Sequence, residues 1–202
     1  MQVDERRQQL LELGADLFAR YSFAELSMAR IAREAGISKP LLYHYFPSKR
    51  EYFLATLSEG VEQLAERTTP DPGAAPLEAL SGSVEAFLDW VDGRDLAYRK
   101  LLETAGEVPE VKALIDEVRD RTSGRIVEGL GLGDPPPPKV RAAIRGWLWL
   151  MDGAIFDWLE HRDLTRDELR DLLLGSLAGA LVAAGAGEAL AAAGDARASA
   201  SD

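Results

Sequence analysis

Two short helical patterns separated by only three residues constrain the fold of this chain more than any other feature. Residues 28–35 and 39–46 each place apolar side chains at helical spacing, on either side of Gly36-Ile37-Ser38. Gly36 suits a left-handed helix end, Ser38 suits an N-cap, and Pro40 is tolerated in a first turn. Helices joined by so short a turn have the spacing of a helix-turn-helix.

A further helix is predicted on each side of this pair. The preceding one begins after the capping residue Asp4 and carries one apolar stripe, formed by Leu10, Leu13, Leu17, Phe18 and Tyr21. Pro47 then interrupts the helical pattern, and Ser48 with Glu51 forms a capping box that starts the next helix. The first 60 residues therefore predict a compact helical domain.

The remainder of the chain also shows helical periodicity, without strand-like alternation. Breaker clusters stand at 68–76 and 131–138, and helical patterns occupy 77–92, 94–105, 109–129, 139–162 and 165–185. These patterns predict an all-α fold of about nine helices, with a helix-turn-helix domain at 1–60 and a larger helical domain at 61–185. Residues 186–202 contain mostly Ala, Gly, Ser and Asp, and we expect a disordered tail there.

The charge of the chain is distributed unevenly. Its formal net charge is -11, from 23 Lys and Arg against 34 Asp and Glu, which argues against nucleic-acid binding by the chain as a whole. Residues 1–60 are neutral, whereas residues 27–50 hold five basic side chains and one acidic one, a local charge of +4. Because salt screens exposed charges beyond roughly 8–10 Å, this segment can still attract phosphates.

Several classes of site and location are disfavoured by composition. The chain has no cysteine, which excludes disulfides, thiolate nucleophiles and cysteine-ligated metals. The charged start MQVDERRQQL lacks a secretory apolar run, and the longest apolar stretch, 172–187, is short and rich in glycine. We therefore expect a cytoplasmic protein without a membrane span, cofactor or metal.

The helix over residues 39–46 is expected to have an inner and an outer face. Leu42 and Phe46 are four residues apart and should face the core. The outer face is then formed by Lys39, Pro40, Leu41, Tyr43 and His44.

This outer face has the chemistry needed to read DNA. Lys39 can reach a guanine edge or a phosphate, and Pro40 and Leu41 can touch a thymine methyl. Hydroxyl or imidazole donors to phosphates come from Tyr43, His44 and Tyr45. Lys49 and the N-terminus of the following helix add a second phosphate contact. Packing tyrosines and a solvated charged face are the alternative interpretation.

The run LLELGADLFARYSFAELSMARIAREAGISKPLLYHYFPSKREYFLATL resembles the DNA-binding domain of TetR-family bacterial transcriptional regulators. The matching pieces are Leu17-Phe18, Ile31-Ala32, Ala35-Gly36, Ser38, Leu42-Tyr43, Tyr45-Phe46 and Ser48-Lys49. The chain departs from the family pattern at Ser22, where glycine is usual, at Leu26, where threonine is common, and at Tyr52, where leucine is usual. The resemblance implies operator contacts from Ser27, Met28, Lys39, Pro40, Leu41, Tyr43, His44, Tyr45 and Lys49.

The resemblance also implies a homodimer and a small-molecule effector. Members of the family dimerise through their last two helices, here expected at 139–162 and 165–185, with Trp149, Leu172, Gly175 and Gly179 as candidate contacts. A lipophilic effector would be lined by Phe87, Trp90, Tyr98, Leu102, Trp147, Met151, Phe156 and Trp158. If the effector were anionic, the candidates to neutralise it would be Arg99, Arg141 and Arg145. The expected mechanism is a repressor that leaves a palindromic operator when effector binds.

Two other functions remain open at this point. A ligand-independent structural DNA-binding protein would show little sequence preference. A small helical enzyme would have to use His161, one turn from Asp157, since the chain has only two histidines. The choice between repressor and activator also stays open.

Overall fold

A computed structural model describes the backbone of residues 3–71 and 73–199 and the side chains of residues 5–71 and 73–194. All regular secondary structure in these ranges is helical, which confirms the all-α prediction. The ten helices found there are α1 Val3–Arg20, α2 Met28–Glu34, α3 Lys39–Tyr45, α4 Lys49–Arg67, α5 Pro76–Val91, α6 Asp95–Ala105, α7 Pro109–Gly129, α8 Pro138–His161, α9 Arg166–Ala183 and α10 Gly187–Ser199. Within these ranges, no helix is both long enough and apolar enough to cross a bilayer.

Local capping interactions set the bounds of α2 and α3. The side chain of Ser27 accepts a hydrogen bond from the Arg30 amide at 3.2 Å, and that of Ser38 accepts one from the Leu41 amide at 3.3 Å. Gly36 has a φ of 64°, the left-handed conformation in which glycine carries no steric penalty. These contacts span only three residues each, so the helix-turn-helix bounds were predicted correctly.

The described part of the chain packs as two compact units that are not continuous in sequence. One unit comprises residues 1–65 and 94–115, and the other comprises 66–93 and 116–202. The helix α6 and the start of α7 therefore pack with the N-terminal helices, although they fall in the predicted larger domain. As a functional boundary, the division at residue 60 stays a prediction.

The core of the first unit is built around aromatic residues. Tyr52 is fully buried, with ring centroids 4.8 Å from Phe46 and 5.8 Å from Phe18. Val111 and Ile115 of α7 belong to the same apolar cluster as the residues of α1 to α4. Because α7 contributes to this core, the helix-turn-helix rests on residues distant in sequence.

In the second unit, α8 and α9 pack through one face each. The buried side chains of α8 are Val140, Ile144, Trp147, Leu148, Met151, Ile155, Trp158 and Leu159. Those of α9 recur every fourth residue: Leu169, Leu173, Leu177 and Leu181. The apolar run of α8 suggests burial on more than one side, but Trp149 and Leu150 are exposed in the single chain.

Ion pairs join α5 to the end of α8 and the start of α9. Asp92 pairs with Arg162, Asp89 pairs with Arg166, and Arg170 lies 3.9 Å from Glu85. The acids lie along one face of α5, and their arginine partners come in the reverse order along the chain. These pairs lie at or near the surface, where ion pairs of this kind contribute little to stability.

The predicted disordered tail is wrong for most of its length. Gly187–Ser199 form α10, which packs on α5 and α9, and Ala193 is 7% exposed. Alanine has the highest helix propensity, and this segment contains six of them between Glu188 and Ala198. A small-residue composition was therefore compatible with a docked helix. Residues 200–202 of the predicted tail lie outside the described residues.

Candidate nucleic-acid interface

The helix α3 has the two faces that its sequence predicts. Leu42 and Phe46 are 0% and 2% exposed, respectively, and lie in the core of the first unit. The side chains left exposed are Lys39, Pro40, Leu41, Tyr43 and His44. Tyr45 is half-buried, and its ring centroid is 5.7 Å from that of His44. The orientation of α3 is thus confirmed, whereas its contacts with DNA stay a prediction.

Met28 does not lie on this surface. Its side chain is 5% exposed and packs in the same core as Ile31 and Ala32, which follow it by three and four residues. The helical phase of α2 thus turns the Met28 side chain inward, and its DNA contact stays a prediction that only its main chain could fulfil. Ser27 is exposed beside it, and its hydroxyl caps α2.

Lys49 is engaged within the protein. Its ammonium donates hydrogen bonds to the carbonyl oxygens of Phe23 at 2.7 Å and Leu26 at 2.9 Å. It also lies 4.1 Å from the centroid of the Phe23 ring, a cation–π contact. An ammonium has three N–H donors, so one remains for a phosphate. The structure thus gives Lys49 a positioning role in the loop between α1 and α2 that the sequence did not reveal.

Two other basic residues of the 27–50 segment also have internal partners. A terminal nitrogen of Arg50 lies 2.6 Å from both carboxylate oxygens of Glu110, and this contact lowers the pKa of Glu110. The guanidinium of Arg30 stacks 3.9 Å from the centroid of the Tyr21 ring, and its buried Nε has no hydrogen-bond partner among the described residues. Arg33 and Lys39 are both exposed. The local charge of +4 therefore overstates what the segment presents to DNA.

A second candidate surface is the outer face of α8 and α9. The predicted dimerisation residues Trp149, Leu172, Gly175 and Gly179 are all exposed. The same face carries residues that the sequence interpretation omitted: Leu150, Gly153 and Val182. Gly153 lies four residues after Trp149, and Val182 lies three after Gly179, a helical spacing that could have identified both, whereas Leu150 directly follows Trp149. We call these seven residues the outer α8–α9 face.

The predicted effector residues are divided between the two units. Tyr98 and Leu102 lie in the first unit, and the second unit holds Phe87, Trp90, Trp147, Met151, Phe156 and Trp158. The indole N–H of Trp147 donates to the Leu173 carbonyl, and that of Trp158 donates to the Leu164 carbonyl, each at 2.8 Å. These two tryptophans thus join α8 to α9 and its preceding loop. Phe87, Trp90 and Phe156 are half-buried.

Of the charged candidates, Arg141 and Arg145 are exposed and Arg99 is half-buried. Arg145 pairs with Asp120 at 3.3 Å, and Arg141 is exposed. His161 and Asp157 meet as their spacing predicts, with Nδ1 lying 3.0 Å from the Asp157 carbonyl oxygen, and both side chains are exposed. The pKa of His161 is raised by that backbone hydrogen bond and by the Asp157 charge. In the described ranges, no three His, Asp or Glu side chains converge as a metal site would need.

Comparison with family models matches most of the chain. Residues 10–56 match the bacterial regulatory proteins of the tetR family, and residues 76–180 match the tetracyclin repressor-like C-terminal domain. The first match contains α2 and α3, and the second contains every residue of the outer α8–α9 face except Val182.

Individual relatives agree with these models. The transcriptional activator FasR of Mycolicibacterium smegmatis is 39% identical over 106 residues, 50% of this chain and 47% of that protein. The transcriptional repressor KstR2 of Mycobacterium tuberculosis is 37% identical over 93 residues, 45% of this chain and 46% of that protein. The chain thus spans about half the length of the curated relatives it matches.

A solved structure extends the likeness to nearly the whole chain. A tetR-family transcriptional regulator from Streptomyces coelicolor superposes with a TM-score of 0.84 at 30% identity. The match covers 96% of this chain and 90% of that one. With both family models and this structure in agreement, the chain belongs to the TetR family of bacterial transcriptional regulators.

Proposed function

We propose that this protein is a homodimeric, sequence-specific DNA-binding regulator that represses transcription and is released from its operator by a small lipophilic effector. The observation that carries the proposal is the outer face of α3, where Lys39, Leu41 and Tyr43 are exposed over the buried Leu42 and Phe46. A regulator of this kind acts on the chromosome, so the proposal includes a cytoplasmic location. It assigns no catalytic role to His161.

The contacts proposed for α3 follow from its exposed side chains. The major groove admits an α-helix, and its floor presents guanine acceptors and thymine methyl groups. Lys39 would donate to a guanine or a phosphate, and Leu41 would contact a methyl group. Tyr43 would donate its hydroxyl to a phosphate. Leu41 is 39% exposed and Tyr43 is 41% exposed, so both can be covered by DNA without any rearrangement of the core.

The proposed dimer uses the outer α8–α9 face. Four apolar side chains of that face are more exposed than a monomer's surface usually permits together: Trp149 at 64%, Leu150 at 45%, Leu172 at 54% and Val182 at 58%. An added Cβ at Gly153, Gly175 or Gly179 would meet nothing within 4 Å. Each such glycine costs a helix about 1 kcal/mol relative to alanine. A second copy packing closely on this face would explain why they are there.

Dimerisation would also supply DNA affinity that one recognition helix lacks. Arg33 and Lys39 are exposed, whereas Lys49 and Arg50 are partly engaged by partners within the chain. Since each phosphate contact contributes a limited, salt-dependent term, binding would depend on two helices engaging together. A two-fold dimer places them about 34 Å apart, which predicts a near-palindromic operator with half-sites about one helical turn apart.

For the effector, the proposal retains Phe87, Trp90 and Phe156 as lining residues, since these aromatic side chains are half-buried. A protein from Saccharomonospora viridis with the same fold was solved in complex with choline, which supports small-molecule binding. Effector binding would favour a conformation with weaker operator affinity. By linkage, operator binding must weaken effector binding by the same factor.

The direct test of the proposal is capture of fragments from the source genome on the purified protein, followed by gel shifts on the enriched palindrome. Lys39→Ala and Tyr43→Phe should each weaken operator binding about tenfold or more. Lys139→Ala is the matched control, because Lys139 is also exposed in the first turn of a helix beside a proline. Capture without enrichment would favour a structural DNA-binding protein instead. Unchanged affinity in both α3 variants would remove α3 from the interface.

The effector can be sought separately by quenching of tryptophan fluorescence. A lipophilic compound that binds beside Trp90 should quench the wild type and lose most of its effect in Trp90→Phe. Trp149→Phe should keep the quenching, because Trp149 is exposed on the outer α8–α9 face. A saturating effector that left operator affinity unchanged would contradict the repressor mechanism.

A further inference from the structure

The indole of Trp149 is exposed on one side and covered by a cation on the other. The guanidinium carbon of Arg119, on α7, lies 3.9 Å from the ring centroid. Stacking of a guanidinium on an indole face is the strongest form of cation–π contact among common side chains. One face of the ring is therefore occupied within the chain, while the side chain as a whole remains 64% exposed.

Arg119 is itself held firmly. Its side chain is 15% exposed and bonds to Asp152 of α8, 17% exposed, at 2.5 Å. A second carboxylate, that of Asp116, lies 3.8 Å away one turn earlier on α7. The charge of Arg119 is thus compensated, and its planar group is fixed between α7 and α8 where the indole rests on it.

We propose that Arg119 positions Trp149 as the anchor of the homodimer interface and neutralises Asp152 at the edge of that interface. This inference rests on the proposed dimer through the outer α8–α9 face. It adds a residue from α7 to a surface otherwise formed by α8 and α9.

Arg119 would lower two free-energy costs of dimerisation, and this supports the proposed role. A freely rotating tryptophan would lose side-chain entropy when a partner covered it, and the stacked guanidinium removes much of that loss in advance. Asp152 is three residues from Trp149 on α8, so a partner that covers the indole also removes water near this carboxylate. A carboxylate left unpaired as water is removed opposes binding strongly, whereas one bonded to arginine does not.

The neighbouring Arg121 provides a matched control. It lies two residues further along α7 and forms an ion pair with Glu117 at 3.4 Å, with side chains that are 47% and 69% exposed. Exposed pairs of this kind contribute little to stability. Arg121→Gln therefore makes the same change of residue and charge on the same helix, away from the indole stack.

The test is the dimer dissociation constant measured by sedimentation velocity on the full chain, with circular dichroism and thermal unfolding to confirm folding. Trp149→Ala should raise the constant about a hundredfold and Arg119→Gln about tenfold, because tryptophan and arginine dominate interface energetics. Arg121→Gln should stay within about twofold, as expected for an exposed ion pair. Arg119→Lys should fall between wild type and Arg119→Gln, since it keeps the charge but loses the planar stack.

The double variant Arg119→Gln with Asp152→Asn separates the two parts of the role. Replacing the carboxylate to which Arg119 bonds should recover part of the lost affinity, as expected if Arg119 acts by neutralising Asp152. A dimeric wild type with an unchanged constant in Arg119→Gln would overturn this inference alone. A wild type that stays monomeric at micromolar concentration would overturn the proposed dimer as well.

Discussion

The hydroxyl oxygen of Tyr52 lies 2.8 Å from the point that a Cβ at Gly14 would occupy. From there it donates a hydrogen bond of 2.5 Å to the carbonyl oxygen of Leu10. The hydroxyl of Thr56 approaches the same point on Gly14. The helices α1 and α4 can therefore meet at this depth only because residue 14 has no side chain, and the contact accommodates a tyrosine where the family usually has leucine.

Gly14→Ala should destabilise the protein although it raises helix propensity. The added methyl group would collide with Tyr52 and Thr56 in a packed core, an effect that typically costs about 1–3 kcal/mol. Gly60→Ala in α4 is the control, because a Cβ there meets nothing within 4 Å and should stabilise by up to about 1 kcal/mol. Urea unfolding of both variants measures the difference. An equal increase in the free energy of unfolding in Gly14→Ala and Gly60→Ala would show that α1 and α4 do not approach this closely.

Tyr52→Phe should cost about 0.5–1.5 kcal/mol, the typical net value of a hydrogen bond within a folded protein. Burial raises the pKa of Tyr52 above its ordinary value of 10.0, so the unfolded chain releases this proton first as the pH rises. Wild-type stability should therefore fall above about pH 10, and Tyr52→Phe should lack this part of the decline. Chemical unfolding between pH 8 and about pH 11 compares the two slopes. If the free energy of unfolding changed with pH equally in both proteins, folding would not raise the pKa of Tyr52.

Lys49→Met should lower stability and DNA affinity together. Its ammonium donates to two main-chain carbonyls of the loop that precedes α2, and hydrogen bonds from charged groups contribute about 1.5–3 kcal/mol each when buried and less when partly exposed. Lys39→Met should lower DNA affinity alone, because Lys39 is exposed on α3. Thermal unfolding and binding to the captured operator distinguish the two lysines. If neither variant lost stability, Lys49 would not position the loop, and its role would be limited to a phosphate contact.

Glu110→Gln should strengthen DNA binding by releasing Arg50. The two side chains are paired at 2.6 Å, and the lowered pKa of Glu110 keeps it charged at neutral pH; the pair is lost only as the pH falls below its ordinary value of 4.5. A freed guanidinium at the start of α4 could meet a phosphate, which would steepen the salt dependence of binding by about one contact.

Glu107→Gln makes the same change in net charge at another exposed position and serves as the control for Glu110→Gln. The measurement is fluorescence anisotropy with a labelled duplex over a range of salt concentrations. If the affinity of the two variants for DNA depended on salt concentration with the same slope, Arg50 would not reach DNA when it is released.

Much of the helical organisation could be predicted from particular residues. Ser27 and Ser38 predicted where α2 and α3 begin, Gly36 predicted where α2 gives way to the turn, and the spacing of Leu42 and Phe46 predicted which side of α3 faces the core. Met28 shows the limit of this reasoning at the site. The resemblance assigns this residue a contact with DNA, whereas the helical phase of α2 buries its side chain.

The sequence alone determined the helices, their caps and the faces of α3, because these depend on contacts within three or four residues along the chain. Only the tertiary structure decided what the charged and aromatic side chains do. Lys49 reaches the Phe23 carbonyl across 26 positions, Tyr52 reaches Leu10 across 42, and Arg50 reaches Glu110 across 60. No spacing rule connects residues so far apart. Their partners are chosen when the helices pack, and for Tyr52 burial makes an unpaired hydroxyl costly.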